Sequence, residues 1–261
     1  MNCLAFAAAL GALPLAAAAQ APIITTPGAP PALPLVAPFS TAANGAPPAP
    51  WRLITLPKLP RHTRYEVAAV DGVRALKMES DGGYANLLHP LAADTGATPA
   101  LRWRWRVDAH PAGADLTRKS GDDVPARLCV LFDLPLDWLA AGDRLKVRLG
   151  RLLFDRDLPA ASICYVWDAR LPAGTWLANA YTDRVQMLVL RSAASGHAEG
   201  TWQSESRDLR ADFARAFAHE AQAAAGRPVK IAAIGVAADA DNTGGRALAW
   251  IGDVALGAGA Q

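Results

Sequence analysis

The sequence lacks the signatures of several common catalytic classes. It contains no G-x-S-x-G, no phosphate-binding glycine loop and no C-x-x-C motif, which argues against the matching hydrolases, nucleotide-binding proteins and redox proteins. Its 5 histidines are scattered, so no H-x-H or H-E-x-x-H zinc site is expected. A charge excess is absent as well. With 26 basic and 24 acidic residues the net charge is +2, too balanced for a protein steered to nucleic acid by phosphate charge.

An apolar, uncharged stretch opens the chain and ends in Ala17-Ala18-Ala19 before Gln20. These small residues fit a signal-peptidase site, so we expect a signal peptide over residues 1–19 and a periplasmic or secreted protein. The stretch contains no Lys or Arg, and the alternative is the apolar N-terminus of a cytosolic protein. The run is short and is interrupted by Pro14, so no stable membrane span is predicted.

Proline is dense over residues 20–50, and it is incompatible with regular structure over most of that stretch. We predict a disordered spacer over residues 20–34. The remaining length suits one domain, placed at 35–257. The sequence does not indicate an oligomeric state.

From Trp51 onward the chain consists mainly of short, strand-like segments. Asp71-Gly72 separates two of them and is a strong hairpin signal. Two segments, Asp143–Asp155 and Asp208–Ala225, have helical spacing of apolar residues instead. Because strands follow one another without regular alternation with helices, we predict a mainly β protein, an antiparallel β-sandwich of jelly-roll type with two short helical insertions.

The clearest alternation lies in LRWRWRVD, residues 101–108. Trp103 and Trp105 share one face with Val107, which predicts that this face packs in the core. The opposite face carries three arginines and needs carboxylate partners. The alternative is a solvated ladder of charged pairs, each weakly stabilising. The arginines are Arg102, Arg104 and Arg106, and the candidate partners are Asp122, Asp123, Glu205, Asp208 and Asp253.

Polar side chains also alternate in TWQSESRDL, where Gln203, Glu205 and Arg207 share a face. Sugar sites combine a flat apolar ring with convergent polar groups. We therefore predict a non-catalytic module that binds a carbohydrate or another polar envelope ligand. The candidate ligand-binding residues are Arg104, Arg106, Arg127, Tyr165, Trp167, Gln203, Glu205 and Arg207.

Two other functions remain open. Glu205 together with Asp122 or Asp123 would supply the pair of carboxyl groups that a glycan hydrolase or lyase uses, if the fold brings them within reach. Asp122 and Asp123 follow Gly121 and are equally suited to closing a turn. The third hypothesis is a structural envelope protein that docks another protein through its polar face.

The segment DADNTG, residues 239–244, is similar to the start of a calcium loop. Its twelfth position is Trp250, where an EF-hand needs a bidentate Glu, and its flanks are strand-like, so an EF-hand is excluded. Asp239 and Asp241 are the candidate Ca²⁺ ligands of a different loop. The alternative is an ordinary hairpin connection, since turns select the same residue types.

Several of these motifs in this order resemble one bacterial family, the "domain of unknown function 3047". They are WRWRV, K-x-GDD-x-PAR, YVW, W-x-x-E-x-R, D-x-DNTG and GD-x-x-L, over about residues 35–256. The resemblance implies an exported bacterial protein of unassigned activity. The last hairpin is also similar to that of galactose-binding-like jelly rolls, although a fold does not specify a function.

Two cysteines remain after the predicted signal peptide, Cys129 and Cys164, and both lie in strand-like runs. In an oxidising compartment they can form a disulfide if their Cα atoms approach within about 7 Å. The alternative is a pair of buried free thiols. In the family pattern an asparagine often precedes YVW, where this chain has Cys164, so a Cys129–Cys164 bond would be particular to this protein.

Overall fold

The fold is known from a computed structural model. It describes residues 35–57, 59–154 and 159–258, with the backbone alone at 149–154. The predicted signal peptide (1–19) and spacer (20–34) lie outside the described residues. The described residues belong to one compact unit, and none of their helices is long and apolar enough to span a membrane.

Thirteen strands in the described residues form two sheets, so the protein is a mainly β sandwich, as predicted. In chain order the strands are β1 (Arg52–Thr55), β2 (Arg64–Val70), β3 (Val73–Asp81), β4 (Ala85–Asp94), β5 (Ala100–Ala109), β6 (Ala126–Asp133), β7 (Ala161–Asp168), β8 (Trp176–Asn179), β9 (Thr182–Ser192), β10 (Gln203–Asp208), β11 (Lys230–Ala237), β12 (Arg246–Ile251) and β13 (Ala255–Gly257).

The seven-stranded sheet has the order β1-β4-β11-β6-β7-β9-β8, and the six-stranded sheet has the order β10-β5-β12-β3-β2, with β13 also paired to β5. The centre of the sandwich is formed by four adjacent strands of each sheet, β4-β11-β6-β7 and β3-β12-β5-β10. Followed in chain order, these eight strands are arranged as in a jelly roll. In the described sheets neighbouring strands are antiparallel with one exception, since β7 and β9 pair in parallel. Between these two strands the chain runs back through β8, which pairs antiparallel with β9, and β9 therefore has the same direction as β7.

The hairpin predicted at Asp71-Gly72 joins β2 to β3. Both residues have positive φ, 51° and 74°, as the tight turn between twisted strands requires. The alternation in β5 is confirmed too, because Trp103 and Trp105 are buried while Arg102 is exposed. The two tryptophans therefore face the seven-stranded sheet from the core.

Three α-helices accompany the sheets in the described residues. The first, α1 (Ala141–Phe154), matches the predicted segment. The second predicted segment is two helices, α2 (Leu209–Ala216) and α3 (Ala218–Ala224), because Phe217 between them has φ −135° and ψ 61°. Asp208 accepts from the backbone N–H groups of Arg210 and Ala211 and so begins α2. This leaves Phe213 and Phe217 buried in the core.

Candidate functional site

The face of the seven-stranded sheet that points away from the core holds a pocket of about 500 Å³. Strand β6 shows how the pocket is formed: Leu128 and Val130 lie in the core, so the alternate residues point outward into the pocket. We call this site the outer-face pocket. Its lining includes Leu56, Pro57, Leu59, Tyr84, Asn86, Leu88, Asp122, Arg127, Cys129, Leu131, Ser162, Cys164, Asn179, Tyr181, Val185, Gly235, Asp239, Asp241 and Asn242.

The floor of the pocket is apolar. Cys129 and Cys164 lie directly opposite each other on β6 and β7 and form a disulfide. Leu88 and Leu131 line the pocket beside them. A Cβ at Gly235 would lie 3.4 Å from the Leu88 side chain, so glycine helps to keep the pocket open at this point of β11.

The polar end of the pocket is built around Arg127. Its guanidinium forms an ion pair with Asp239 and lies 4.9 Å from the ring centroid of Tyr84. Arg127 and Asp239 are both buried. Burial alone would lower the pKa of Arg127, but the neighbouring Tyr84 and Asp239 raise it above its ordinary value, so this buried residue stays charged.

Several buried polar atoms at this end have no hydrogen-bond partner within the described part of the chain. They are Arg127 Nε, Asp122 Oδ1 and Asp239 Oδ1. The other Asp122 oxygen accepts a hydrogen bond of 2.7 Å from Asn179 Nδ2. Unpaired buried polar groups are costly, so these atoms are suited to bind a ligand that supplies the missing partners.

Burial has the largest effect on the acids at this end. It raises the pKa of Asp122 above its ordinary value, opposed mainly by the nearby Arg127. The pKa of Asp239 is raised well above its usual range by burial, which outweighs the opposing effect of Arg127. Strongly perturbed acids in a cleft are typical of functional sites, although structural ion pairs perturb them as well.

Asp123 anchors the loop that follows β11. Its carboxylate accepts from the backbone N–H and the hydroxyl of Thr243, at 2.8 and 2.6 Å, and from the backbone N–H of Asn242 at 3.1 Å. One oxygen each of Asp123, Asp239 and Asp241 lie within 4.8 Å of one another. The candidate catalytic and metal-binding acids of the two loops therefore converge on one site.

Tyr181 forms the rim of the pocket. The residue is 57% exposed, and its hydroxyl donates to Asn242 Oδ1 at 2.9 Å. Lys119 Nζ lies 5.2 Å from the centroid of its ring. An exposed aromatic ring held beside a polar pocket is suited to stack on a ligand.

The polar face of β10 is not part of this pocket. Gln203, Glu205 and Arg207 are only partly exposed, and they alternate with exposed serines. Glu205 accepts hydrogen bonds from Trp105 Nε1 at 2.9 Å and Arg191 Nε at 2.7 Å. Its register partner is Trp103 on β5, so the carboxylate points toward the core. The structure does not bring Glu205 together with Asp122 or Asp123.

The arginines of β5 that point away from the core lie on the outer face of the six-stranded sheet. Arg106 pairs with Asp108 at 2.6 Å and with Asp71, and Arg104 lies 5.2 Å from the ring centroid of Trp202. Neither forms an ion pair with a predicted partner acid among the described residues. Two of those acids have other roles: Asp208 caps α2, and Asp253 accepts from the backbone N–H of Phe39 at 2.7 Å.

Tyr165 and Trp167 are both 0% exposed. Their ring centroids lie 5.3 Å from Trp103 and 5.9 Å from Trp105, respectively. The Tyr165 hydroxyl donates to Asp212 at 2.7 Å. Neither aromatic ring is accessible to a ligand from outside, so of the eight candidate ligand-binding residues only Arg127 lines the outer-face pocket.

Sequence reasoning missed six polar residues of this pocket, namely Tyr84, Asn86, Ser162, Asn179, Tyr181 and Asn242. Asn242 belongs to the D-x-DNTG motif that pointed to calcium, so its signal was present. The other five carry no distinctive pattern of their own, and only the fold brings them to the site.

A family model described as "Protein of unknown function (DUF3047)" matches residues 49–255. No curated protein matches the chain.

Proposed function

Because the chain belongs to the DUF3047 family, described as proteins of unknown function, we propose its function from the outer-face pocket: the protein is an exported module that binds a carbohydrate or a similar polar envelope ligand there. The single observation that supports this most is the group of unpartnered buried atoms around Arg127, Asp122 and Asp239. Hydroxyl groups both donate and accept hydrogen bonds, so a polyol can satisfy a cation and two carboxyl groups at once.

The remaining surface of the pocket suits the apolar faces of a sugar ring. Leu88, Leu131 and the Cys129–Cys164 disulfide form an apolar floor, and Tyr181 supplies an exposed ring at the rim. Binding sites are typically mostly apolar, with a few polar groups that orient the ligand. The proposed ligand therefore packs against the floor and directs its hydroxyl groups to Arg127.

A glycan hydrolase or lyase is the second candidate, favoured by one observation. Asp122 lines the pocket, and its pKa is raised, first by burial, which favours the protonated form that a general acid requires. In this version the acid is Asp122, because Asp239 is paired with Arg127 and Glu205 is hydrogen-bonded to Trp105 and Arg191.

Docking of another protein has less support. The exposed large apolar side chains of the described residues lie on different elements, and two of them, Leu56 and Tyr181, belong to the outer-face pocket itself, whereas a docking surface is usually a large contiguous patch. These side chains are Leu35, Leu53, Leu56, Leu145 and Tyr181.

A glycan array of cell-envelope oligosaccharides tests the proposal, with calorimetric titration of any ligand that binds. Tyr181→Ala should weaken binding about two- to tenfold, since aromatic stacking is worth about 0.5–1.5 kcal/mol. The control is Trp202→Ala, which removes an aromatic residue next to Arg104 on the other sheet and should leave affinity unchanged. Equal effects of the two variants, or no binding to any glycan, would refute the proposal. Cleavage of a bound glycan would establish the enzymatic candidate.

A further inference from the structure

The polar end of the outer-face pocket contains a cluster of oxygen ligands. We propose that Asp123, Asp239 and Asp241 bind a calcium ion, a site that goes beyond the proposed function and does not depend on it. The ion takes Asp239 Oδ1 and leaves Asp122 Oδ1 and Arg127 Nε to a glycan. One oxygen of each carboxylate lies within 4.8 Å of the other two. Calcium–oxygen distances are about 2.3–2.6 Å, so oxygens on opposite sides of the ion are about 5 Å apart. The three oxygens therefore fit around one Ca²⁺ ion.

The balance of charge at this place favours a cation. With Asp122, four carboxyl groups line or adjoin the polar end, and Arg127 is the one buried cation among them in the described part of the chain. Lys119 lies at the rim, over the ring of Tyr181. Buried carboxylates are strongly disfavoured unless they are paired or coordinate a metal. A divalent ion would offset the excess negative charge.

The environment of Asp239 is a second observation that points to a bound cation. Asp239 is 3% exposed. Its Oδ2 is taken by Arg127, while its Oδ1 has no hydrogen-bond partner within the described residues. The Asp241 carboxylate lies beside it and is itself an acceptor, so this oxygen is suited to coordinate a cation.

The side-chain amide of Asn242 lies among the same acids. Its Nδ2 is 3.2 Å from Asp123 Oδ1, 3.4 Å from Asp241 Oδ1 and 3.4 Å from the backbone oxygen of Asp122. All three contacts are longer than a typical N–H···O bond of about 2.9–3.0 Å. The two N–H groups of this amide thus serve three acceptors at long distances, so these hydrogen bonds oppose the coordination of a calcium ion only weakly.

The experiment is calorimetric titration of CaCl₂ into the chelator-treated protein, with no glycan present. We expect one site, together with a rise in the thermal unfolding midpoint, because the ion binds the folded state. Asp241→Asn should weaken calcium binding at least tenfold. The matched control is Asp183→Asn, which removes a carboxylate that is 58% exposed and paired with Lys146 outside the pocket, and it should bind calcium like the wild type.

Terbium luminescence gives a second readout that needs no variant. Tb³⁺ bound to the cluster should be sensitised by the nearby tyrosines, Tyr84 and Tyr181, and should be displaced by Ca²⁺. Absence of heat and of a midpoint shift at millimolar calcium, or equal binding by wild type and a folded Asp241→Asn variant, would overturn the site. A protein that binds calcium but no glycan would overturn only the proposed function and would leave the calcium site standing.

Discussion

Arg127 and Asp239 form a buried ion pair that joins β6 to the end of β11, 112 residues apart in sequence. Both residues line the outer-face pocket, and each has one polar atom without a hydrogen-bond partner among the described residues. The pair therefore has two roles in this account. It holds the polar end of the pocket in place, and it presents the atoms that a ligand would satisfy.

Removing one member of this pair should be more harmful than removing both. Arg127→Met leaves Asp239 buried without its partner and should cost about 3–5 kcal/mol of unfolding free energy. In Arg127→Met/Asp239→Leu no buried charge of the pair remains, so part of the loss should be recovered. Urea unfolding of the two single variants and the double variant measures the coupling.

The control for this cycle is Arg64→Met. Arg64 is 75% exposed on its side chain and pairs with Glu79 at 3.5 Å. An exposed pair contributes about 0–1 kcal/mol. A loss at Arg127 no larger than the loss at Arg64 would contradict a structural role for the Arg127–Asp239 pair.

Glu205 should act on stability rather than on binding. Glu205→Gln weakens the bonds to Arg191 and Trp105 and should cost about 1.5–3 kcal/mol, the range for hydrogen bonds to charged groups. Thermal or urea unfolding measures this loss. Under conditions where the variant is folded, its affinity for a glycan ligand should equal that of the wild type. A selective loss of binding or turnover in a stable variant would show that Glu205 belongs to the functional site.

The disulfide should contribute substantially to stability. Cys129 and Cys164 are separated by 35 residues, and closing a loop of this length in the unfolded chain is worth about 3–4 kcal/mol. Cys129→Ala/Cys164→Ala should therefore lower the unfolding free energy by about that amount, measured against the oxidised protein. The double variant also serves as the control for the reducing agent. Because it has no disulfide, its stability should not change when dithiothreitol is added.

His89 should make the protein less stable in mild acid. Its Nε2 accepts from the Ala37 backbone N–H at 3.0 Å, and burial lowers the pKa of the imidazole. The unfolded chain therefore binds a proton that the folded protein resists, so stability falls as the pH drops below about 6.5, by up to about 1.4 kcal/mol per pH unit. His89→Gln should flatten this dependence in urea unfolding between pH 7.5 and 5. The exposed His219→Gln is the control and should retain the wild-type slope.

Local patterns were sufficient for most of the fold. The alternation around Trp103, the turn at Asp71-Gly72 and the spacing in α1 each depend on neighbours in sequence, so the sequence predicts them directly. The break at Phe217 was missed because the apolar spacing continues through it. The parallel pairing of β7 with β9 depends on the path of the intervening chain, which periodicity does not reveal.

The candidate site was predicted only in fragments. Asp122, Asp239 and Arg127 were each singled out from sequence, but their convergence depends on the pairing of β11 with β6. Tyr165 shows the opposite error. An aromatic beside polar strands was interpreted as a ligand platform, yet a strand buried on both faces places that ring in the core. Burial of this kind depends on which sheet covers the strand, and the sequence does not contain that information locally.

The most direct test of the central claim is NMR mapping of backbone amides during titration with a mixture of cell-envelope oligosaccharides. If the ligand binds in the outer-face pocket, the shifts should be concentrated there, including Asn179, Tyr181, Gly235 and Asn242. Amides on the outer face of the other sheet, such as Arg104 and Ser204, should not move. Shifts confined to that second face, or none at saturating glycan, would contradict the account.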